Sequence, residues 1–288
     1  MRDNKREGKN KMKKAFIAQA RMTSSRLPGK VAMDVCGETA LYRMIERMRL
    51  SKHDMDIIIA TTTNHEDDIV EETAKACGVK VFRGSENHVL SRYYYAAKEY
   101  GVDIISRVTC DDLLFDPRWI FDQLMDEFLA DGTYDYCNAM DYDAEQNKWT
   151  DNEPCCGCGT EIFTFKGIER CFNEATNPYC TEHVTPYFYM NPDLFKCMGH
   201  GTGYEGPNIK PNKYGTSLDT EEDLILLRKI YEELYPKNPK FTITDIVEAY
   251  QRHPEWSDII AEITRTPVTY HGEGNKNTIW DSGLNENI

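Results

Sequence analysis

The 288-residue chain contains no apolar run that approaches the length of a membrane-spanning helix, so we expect no membrane-embedded segment. Basic residues are also in deficit, because 34 lysines and arginines are outnumbered by 48 aspartates and glutamates, for a net charge of −14. We therefore expect no nucleic-acid partner, since a polyanion would have to bind a local basic patch against the field of the whole molecule.

Two nucleotide-binding motifs and a complete zinc motif are also missing. The loop after the first predicted strand contains neither G-x-G-x-x-G nor G-x-x-x-x-G-K-[ST], which argues against a dinucleotide fold and a P-loop. Cys155 and Cys158 form one C-x-x-C pair, but no second pair and no paired histidines follow them. The small residues at 157–159 can instead let the backbone approach a substrate.

The first residues of the chain, MRDNKREGKNKMKK, are basic but lack the apolar stretch of a secretory signal. We expect residues 1–13 to form a disordered leader. Ten cysteines are scattered along the chain, and without a secretion signal the better interpretation is reduced thiols in a cytoplasmic protein.

The first half of the chain alternates short β-branched runs with segments of helical periodicity. The predicted strands are AFIAQ (15–19), DIIIAT (56–61), VKVF (79–82) and DIISRV (103–108). The predicted helices are 38–50, 66–77 and 88–100, of which the last two end at Gly78 and Gly101. This alternation predicts an α/β fold with a mostly parallel sheet and helices on both faces.

The pattern is weaker after about residue 130. The polar segment 141–155 predicts a long loop or arm, and GTEIFTF (159–165) predicts another strand. Segment 181–190 is a candidate helix that Pro186 either interrupts or begins. We predict helices over 220–234, where Thr220 and Asp223 have capping-box spacing, and over 243–253, followed by an extended or disordered tail at 263–288.

The stretch FIAQARMTSSRLPGK (16–30) leads from the first predicted strand into three cations, Arg21, Arg26 and Lys30. Ligands of open parallel sheets bind at the carboxyl ends of the strands. Arginine and lysine suit phosphate oxygens, and the serines and Gly29 between them let backbone amides approach. The loop is therefore a candidate phosphate site, and a solvated basic loop is the alternative.

This loop, QARMTSSRLPGK (19–30), resembles the signature loop of the bacterial sugar-acid cytidylyltransferases, although Thr23 replaces a family glycine. It is closest to the SpsF-like spore-coat polysaccharide branch, which is related to the CMP-sialic acid and CMP-KDO synthetases. Further segments resemble the family's other motifs in the same order: ATTTNHEDD (60–68), FRGSENHVLSRYYYAAKEYG (82–101), SRVTCDDLLFDP (106–117), TEHVTPY (181–187) and SLDTEEDL (217–224).

The resemblance covers residues 14–262 and implies one cytidylyltransferase domain there. It implies a Rossmann-like fold of the nucleotide-diphospho-sugar transferase type, with a small arm or dimerisation insertion. Several relatives are dimers, and the aromatic-rich segment 181–190 suits an interface, so we expect a homodimer.

Two distant carboxylates that meet beside a triphosphate would make a Mg²⁺ site, since Mg²⁺ prefers hard oxygen ligands. The resemblance implies this role for Asp111 and Asp219; a turn residue and a helix N-cap are the alternatives. The family's Gly-Asp-Cys-Pro is Cys110-Asp111-Asp112-Leu113 in this chain. This departure predicts a changed local backbone geometry.

The resemblance also implies the remaining site residues. Lys30, Arg21 and Asp111 are the expected catalytic residues. Arg107 would be costly to bury without an anionic partner. The expected nucleotide-binding residues are Ala20, Arg21, Arg26, Lys30, Thr61, Arg92 and Arg107. The expected acceptor-binding residues are Glu161, Glu182 and His183.

The expected activity is the transfer of CMP from CTP to a small acceptor, with release of pyrophosphate and with Mg²⁺ as cofactor. The expected acceptor is a sugar acid or sugar derivative for surface polysaccharide or glycan biosynthesis. Three alternatives stay open: an acceptor bearing a phosphate or phosphonate, a non-catalytic nucleotide-binding protein, and a redox or zinc protein built on the cysteines at 155–158.

Overall fold

The structure, a computed structural model, describes residues 12–139, 142–143, 148–149, 160–199 and 217–263. The cysteines at 155–158 and most of the predicted leader, arm and tail lie outside the described residues.

A seven-stranded sheet forms the centre of the described fold. Its strands are β1 (Lys14–Gln19), β4 (Asp56–Thr62), β5 (Lys80–Gly84), β6 (Ile104–Thr109), β7 (Tyr136–Asn138), β10 (Glu161–Thr164) and β11 (Cys197–Gly199). Two small pairs lie outside it: β2 (Asp34–Val35) with β3 (Glu38–Thr39), and β8 (Tyr142–Asp143) with β9 (Lys148–Trp149).

The strand order is β11-β7-β10-β6-β1-β4-β5. Parallel pairing joins β6, β1, β4 and β5, and also joins β7 to β11, whereas β10 is antiparallel to both of its neighbours. The prediction of a mostly parallel sheet is confirmed. Because β10 is reversed, its first residue, Glu161, lies at the edge where β6 and β7 end.

Helices cover both faces of the sheet, as predicted. They are α1 (Ala40–Met48), α2 (Asp68–Ala76), α3 (Val89–Tyr100), α4 (Phe121–Asp131), α5 (Phe165–Glu174), α6 (Pro178–His183), α7 (Pro186–Met190), α8 (Glu221–Leu234), α9 (Ile243–Arg252) and α10 (Trp256–Ile259). Short 3₁₀ turns lie at Lys30–Ala32 and His65–Asp67. None of the helices within the described segments has the length and apolarity needed to cross a bilayer.

The core consists of two apolar clusters, one on each side of the sheet. Phe16 and Ala18 point into the cluster formed with α1, α2, α4, α8 and α9, while Ala15 and Ile17 point into the cluster formed with α3, α5 and α7. This alternation follows from the period of two along a strand. It explains why the middle residues of β1 (15–18) and of β4 (57–60) are apolar on both faces.

Local signals set several helix boundaries. Thr220 caps α8 in a capping box with Asp223, as the spacing predicts. Gly101 ends α3 with φ 62°, in the left-handed region that favours glycine. Pro186 occupies the first turn of α7, so segment 181–190 contains the end of one helix and the start of the next.

Candidate active site

The first loop, residues 20–30, leaves β1 at the carboxyl edge of the sheet. Gly29 has φ 75°, and its N–H donates a 2.8 Å hydrogen bond to the Met22 carbonyl, which closes the loop. A side chain at this position would be strained, because L-residues rarely adopt this conformation. The turn places Lys30 at the start of the 3₁₀ turn that follows.

A carboxylate from the neighbouring strand–helix connection holds the first loop in place. Asp67 is fully buried, and its Oδ1 accepts a 2.7 Å hydrogen bond from the Met22 N–H. Its Oδ2 accepts from the hydroxyl and the N–H of Thr62, at the end of β4. Asp67 therefore joins the segments that leave β1 and β4.

Lys30 lies between the two aspartates for which the family resemblance implies a metal-binding role. Its Nζ is 2.6 Å from Asp111 Oδ2 and 2.9 Å from Asp219 Oδ1, and Arg26 Nη2 is also 2.9 Å from Asp219 Oδ1. The Leu218 N–H donates a 2.8 Å hydrogen bond to the Asp111 carbonyl, which brings the two distant segments together. Asp219 is not the helix cap, since Thr220 has that role.

Charge pairing sets the ionisation of this cluster. Burial alone would lower the pKa of Lys30, but the charges of Asp111 and Asp219 raise it above its ordinary value. Burial would likewise raise the pKa of Asp111, but the Lys30 charge and hydrogen bond hold it below the ordinary value. Lys30 is therefore a charged ammonium and Asp111 a charged carboxylate at neutral pH.

The donor set suits a divalent cation, because carboxylate oxygens are the ligands Mg²⁺ prefers and a cationic group already lies between them. In the parts of the chain that the structure describes, no three histidine, cysteine or acidic side chains converge to hold a metal ion. A cation held by Asp111 and Asp219 would thus need further oxygens from phosphates or water.

The three residues that depart from the family motif are packed beside this cluster. Asp112 accepts hydrogen bonds from the hydroxyls of Thr109 (2.6 Å) and Ser217 (2.9 Å). Burial and the neighbouring Asp111 charge raise the pKa of Asp112 to about 7. Cys110 and Leu113 are buried in the core, so all three side chains have a defined packing role.

Arg21, the first cation of the loop, is paired with a residue that the sequence analysis missed. Glu86 Oε1 accepts from Thr23 Oγ1 at 2.6 Å and lies 3.5 Å from Arg21 Nη1, while Oε2 accepts from Asn64 at 2.7 Å. Glu86 therefore joins the connections that follow β1, β4 and β5. Thr23, at the position of the family's glycine, supplies one of these hydrogen bonds.

The other expected nucleotide residues lie near the base of the loop. Arg92 is buried in α3 and donates to the carbonyls of Ser85 (2.6 Å) and Glu86 (3.0 Å), so it is not an exposed helix arginine. Thr61 is buried, and its hydroxyl has no partner among the described residues. The Ala20 N–H donates to the Ala60 carbonyl at 3.3 Å.

Arg107 has the anionic partner that its burial requires. Its Nη1 donates a 2.7 Å hydrogen bond to Glu161 Oε2, and the Tyr136 hydroxyl donates a 2.7 Å bond to Glu161 Oε1. Asn138 donates to the Tyr136 oxygen at 3.1 Å. The Nε of Arg107 is buried with no partner in the described segments. We call Arg107, Glu161, Tyr136 and Asn138 the acceptor-side group, because Glu161 is one of the residues expected to bind the acceptor.

His183 lies near the acceptor-side group, since the charges of Arg107 and Glu161 act on it. His183 is half-buried at the end of α6, with its ring centroid 4.6 Å from that of Tyr179, whereas Glu182 is exposed. Burial lowers the pKa of His183, and the charge of Arg107 lowers it further against the opposing charge of Glu182. His183 is therefore neutral at pH 7.

The structure thus gathers Arg26, Lys30, Asp111 and Asp219 into one cluster, and Arg107 with Glu161 into another. Both lie at the edge of the sheet where the parallel strands end. Glu86 and Asp67 are the site-supporting residues that sequence reasoning missed. The available signal was their position in polar segments directly after predicted strands, which the sequence analysis matched to family motifs without assigning a role.

The sequence profile of the family described as cytidylyltransferase matches residues 15–250. An uncharacterised protein of Methanocaldococcus jannaschii is 34% identical over 255 residues, which cover 88% of this chain and 96% of that protein. The spore coat polysaccharide biosynthesis protein SpsF of Bacillus subtilis is 29% identical over 245 residues, or 83% of this chain and 95% of SpsF.

A solved structure agrees with these sequence relationships. The cytidylyltransferase from Leptospira borgpetersenii is 33% identical and superposes with a TM-score of 0.74, covering 89% of this chain and all of that one. A profile that matches most of the chain, together with a near full-length relative in fold and sequence, establishes that this protein belongs to the cytidylyltransferase family.

Proposed function

We propose that this protein transfers CMP from CTP to a sugar acid or sugar derivative used in surface polysaccharide or glycan biosynthesis. Membership of the cytidylyltransferase family supports the transfer of CMP. The choice of acceptor is supported by the resemblance to the sugar-acid branch and by SpsF, which is named for spore coat polysaccharide biosynthesis.

The single observation that carries the proposal is the ion-paired cluster beside the first loop. At the carboxyl edge of the sheet, Lys30 Nζ lies 2.6 Å from Asp111 and 2.9 Å from Asp219, and Arg26 lies 2.9 Å from Asp219. A triphosphate needs this combination, because cations bind its oxygens and carboxylates hold the metal ion that accompanies it.

In the proposed reaction an acceptor oxygen attacks the α-phosphorus of CTP in line with the leaving group. The new phosphorus–oxygen bond forms, the bond to the bridging oxygen breaks, pyrophosphate leaves, and the acceptor proton passes to solvent. Arg21, Arg26 and Lys30 bind the phosphates and stabilise the charge that develops on pyrophosphate. Mg²⁺ held by Asp111 and Asp219 would supply further neutralisation of phosphate charge.

The acceptor-side group is suited to a polyhydroxylated ligand. Arg107 and Glu161 offer a donor and an acceptor that are already oriented by their mutual hydrogen bond, and neutral His183 lies nearby. Pre-oriented groups of both kinds can bind adjacent hydroxyls without the cost of reorganisation.

Turnover by the variant Asp111→Asn tests this proposal. Pyrophosphate release is measured with CTP, Mg²⁺ and a panel of sugar acids, sugars, and phosphate- or phosphonate-bearing acceptors. With the correct acceptor, we expect the variant to fold and to lose at least about a hundredfold in kcat, because the transition-state charge loses its stabilisation. Asp126→Asn, which alters an exposed pair with Lys52, should keep the normal rate.

A near-normal rate for Asp111→Asn would remove the metal assignment. Release only with phosphate or phosphonate acceptors would replace the sugar acid by that class. CTP binding by calorimetry without release for any acceptor would favour a non-catalytic nucleotide-binding protein. The homodimer and the cytoplasmic location stay predictions, and light scattering tests the first of them.

A further inference from the structure

Lys30 lies in an unusual position for a residue assigned to phosphate binding. Its side chain is only 12% exposed, and Nζ bonds to one oxygen of Asp111 and one oxygen of Asp219. These are the two carboxylates that the proposed function assigns to Mg²⁺. In the structure as described, the lysine ammonium therefore holds the place between them where a shared divalent ion would bind.

Charge balance explains why the lysine is held there. Asp111 and Asp219 bring two negative charges into a partly buried cluster, and Lys30 and Arg26 bring two positive charges. Without Lys30, Arg26 is the one other cation paired with these carboxylates among the described residues, and its side chain is 54% exposed, so their repulsion would be poorly offset. A divalent cation would neutralise the same two carboxylates.

The ammonium of Lys30 lies at the end of a flexible side chain that can change its partners. A lysine carries its charge on a flexible four-carbon stem, and the residue begins a short 3₁₀ turn directly after Gly29. The phosphates of a nucleotide bound at the first loop would offer Nζ an alternative set of anionic oxygens. The lysine could then exchange carboxylate partners for phosphate partners while Asp111 and Asp219 stay in place.

We propose that Lys30 is a displaceable internal counter-ion that keeps divalent metal out of the site until a triphosphate draws its ammonium away. The proposal rests on the proposed function, since that function assigns the two carboxylates to the metal. The metal and the nucleotide then bind with positive coupling, because each removes an obstacle to the other. The competing view is a permanent ion pair that has no effect on metal affinity.

Mn²⁺ binding in the absence of nucleotide separates the two views. We expect Lys30→Met to bind Mn²⁺ at least about tenfold more tightly than the wild-type protein, measured from the free Mn²⁺ signal by electron paramagnetic resonance. Adding Asp111→Asn to this variant should abolish the gain. Lys52→Met is the matched control: it removes one charge from an exposed pair with Asp126, on the connection that enters β4 at the opposite edge of the sheet.

Thermal unfolding gives a second readout that needs no activity. Lys30→Met should melt at a lower temperature than the wild-type protein without metal, and Mn²⁺ should raise its melting temperature by more than it raises that of the wild type. Lys30→Gln serves the same purpose if the methionine variant does not fold.

Equal Mn²⁺ affinity in the wild type, Lys30→Met and Lys52→Met would overturn the counter-ion proposal. If Asp111→Asn still lost turnover with CTP and Mg²⁺ in that case, the proposed function would stand without it. If Asp111→Asn kept normal turnover, the metal assignment itself would fail, whatever the Mn²⁺ result.

Discussion

Arg107 and Glu161 are 54 residues apart in the chain, yet their side chains meet at 2.7 Å across the antiparallel pairing of β6 with β10. Both side chains are 18% exposed. The second oxygen of Glu161 accepts a hydrogen bond from the Tyr136 hydroxyl. The pair therefore gives a largely buried arginine its anionic partner and fixes the orientation of both side chains.

Removal of one member of this pair should destabilise the folded protein. We expect Glu161→Ala to lower the free energy of unfolding by about 2–3 kcal/mol, because Arg107 and Tyr136 lose their shared acceptor in a largely buried place. Urea unfolding measures the effect. Glu248→Ala is the control, since its pair with Arg252 on α9 is exposed and should change stability by less than about 0.5 kcal/mol. Equal losses in the two variants would refute the prediction.

Asp67 should fix the position of the first loop, although we do not expect Asp67 itself to contact the nucleotide. Asp67→Ala removes the acceptor of the Met22 N–H and of both Thr62 donors, so the cations of the loop lose their fixed position. We expect a several-fold rise in the KM for CTP and a loss of about 1–3 kcal/mol in stability. Steady-state kinetics and urea unfolding measure the two effects.

The neighbouring residue offers a control for this experiment. Asp68 is 41% exposed and pairs with Arg83 and His65 outside the loop, so Asp68→Ala should leave the KM for CTP unchanged. A similar rise in KM for both variants would show that KM depends on the negative charge of this segment. It would mean that the hydrogen bond between Asp67 and the Met22 N–H is not what matters.

Gly167, in the first turn of α5, should not tolerate alanine. A Cβ there would lie 2.7 Å from the Cε1 of Phe188, which packs on this turn. We therefore expect Gly167→Ala to lower stability by about 1–3 kcal/mol, although alanine favours helices over glycine. Thermal unfolding tests this. Asn173→Ala, at an exposed position of the same helix, should be neutral or slightly stabilising; a stabilising Gly167→Ala would mean that Phe188 moves freely.

His183 should make the folded state sensitive to acid. Its pKa is lowered from the ordinary value of 6.5 by burial beside Tyr179 and by the charge of Arg107, which outweigh the opposite effects of Glu182 and Glu161. The unfolded chain therefore binds more protons below pH 6.5, and stability falls as the pH decreases from 6.5 through the folded pKa.

Unfolding free energies of the wild type and His183→Gln between pH 6.5 and about 5 test this sign. The wild type should lose more stability than the variant over this range. Parallel curves would show that the folded and unfolded states titrate His183 alike.

Much of the central sheet is predictable from short patterns. The β-branched runs at 15–19, 56–61, 79–82 and 103–108 correspond to β1, β4, β5 and β6. A buried parallel strand must be apolar on both faces, so it appears in the sequence as a run of consecutive apolar residues. Helix ends such as Thr220 with Asp223 are predictable for the same reason, since a cap involves residues within one turn.

Helices α4 and α5 and the strands β7 and β11 were not predicted. The two strands have three residues each, which is too short for a period of two to stand out. The break at Pro186 was indicated, but its division of the segment between α6 and α7 became clear only from the fold.

Local residue order was therefore enough to indicate the strand–helix alternation, the cationic first loop and, through family resemblance, the two aspartates. Only the tertiary structure decided that β10 is reversed, that Glu161 meets Arg107, that Glu86 and Asp67 hold the loop, and that Lys30 lies between Asp111 and Asp219. Secondary structure depends on neighbours within a few residues, whereas charge pairing depends on which distant segments share an edge of the sheet, and no short pattern in the chain records that.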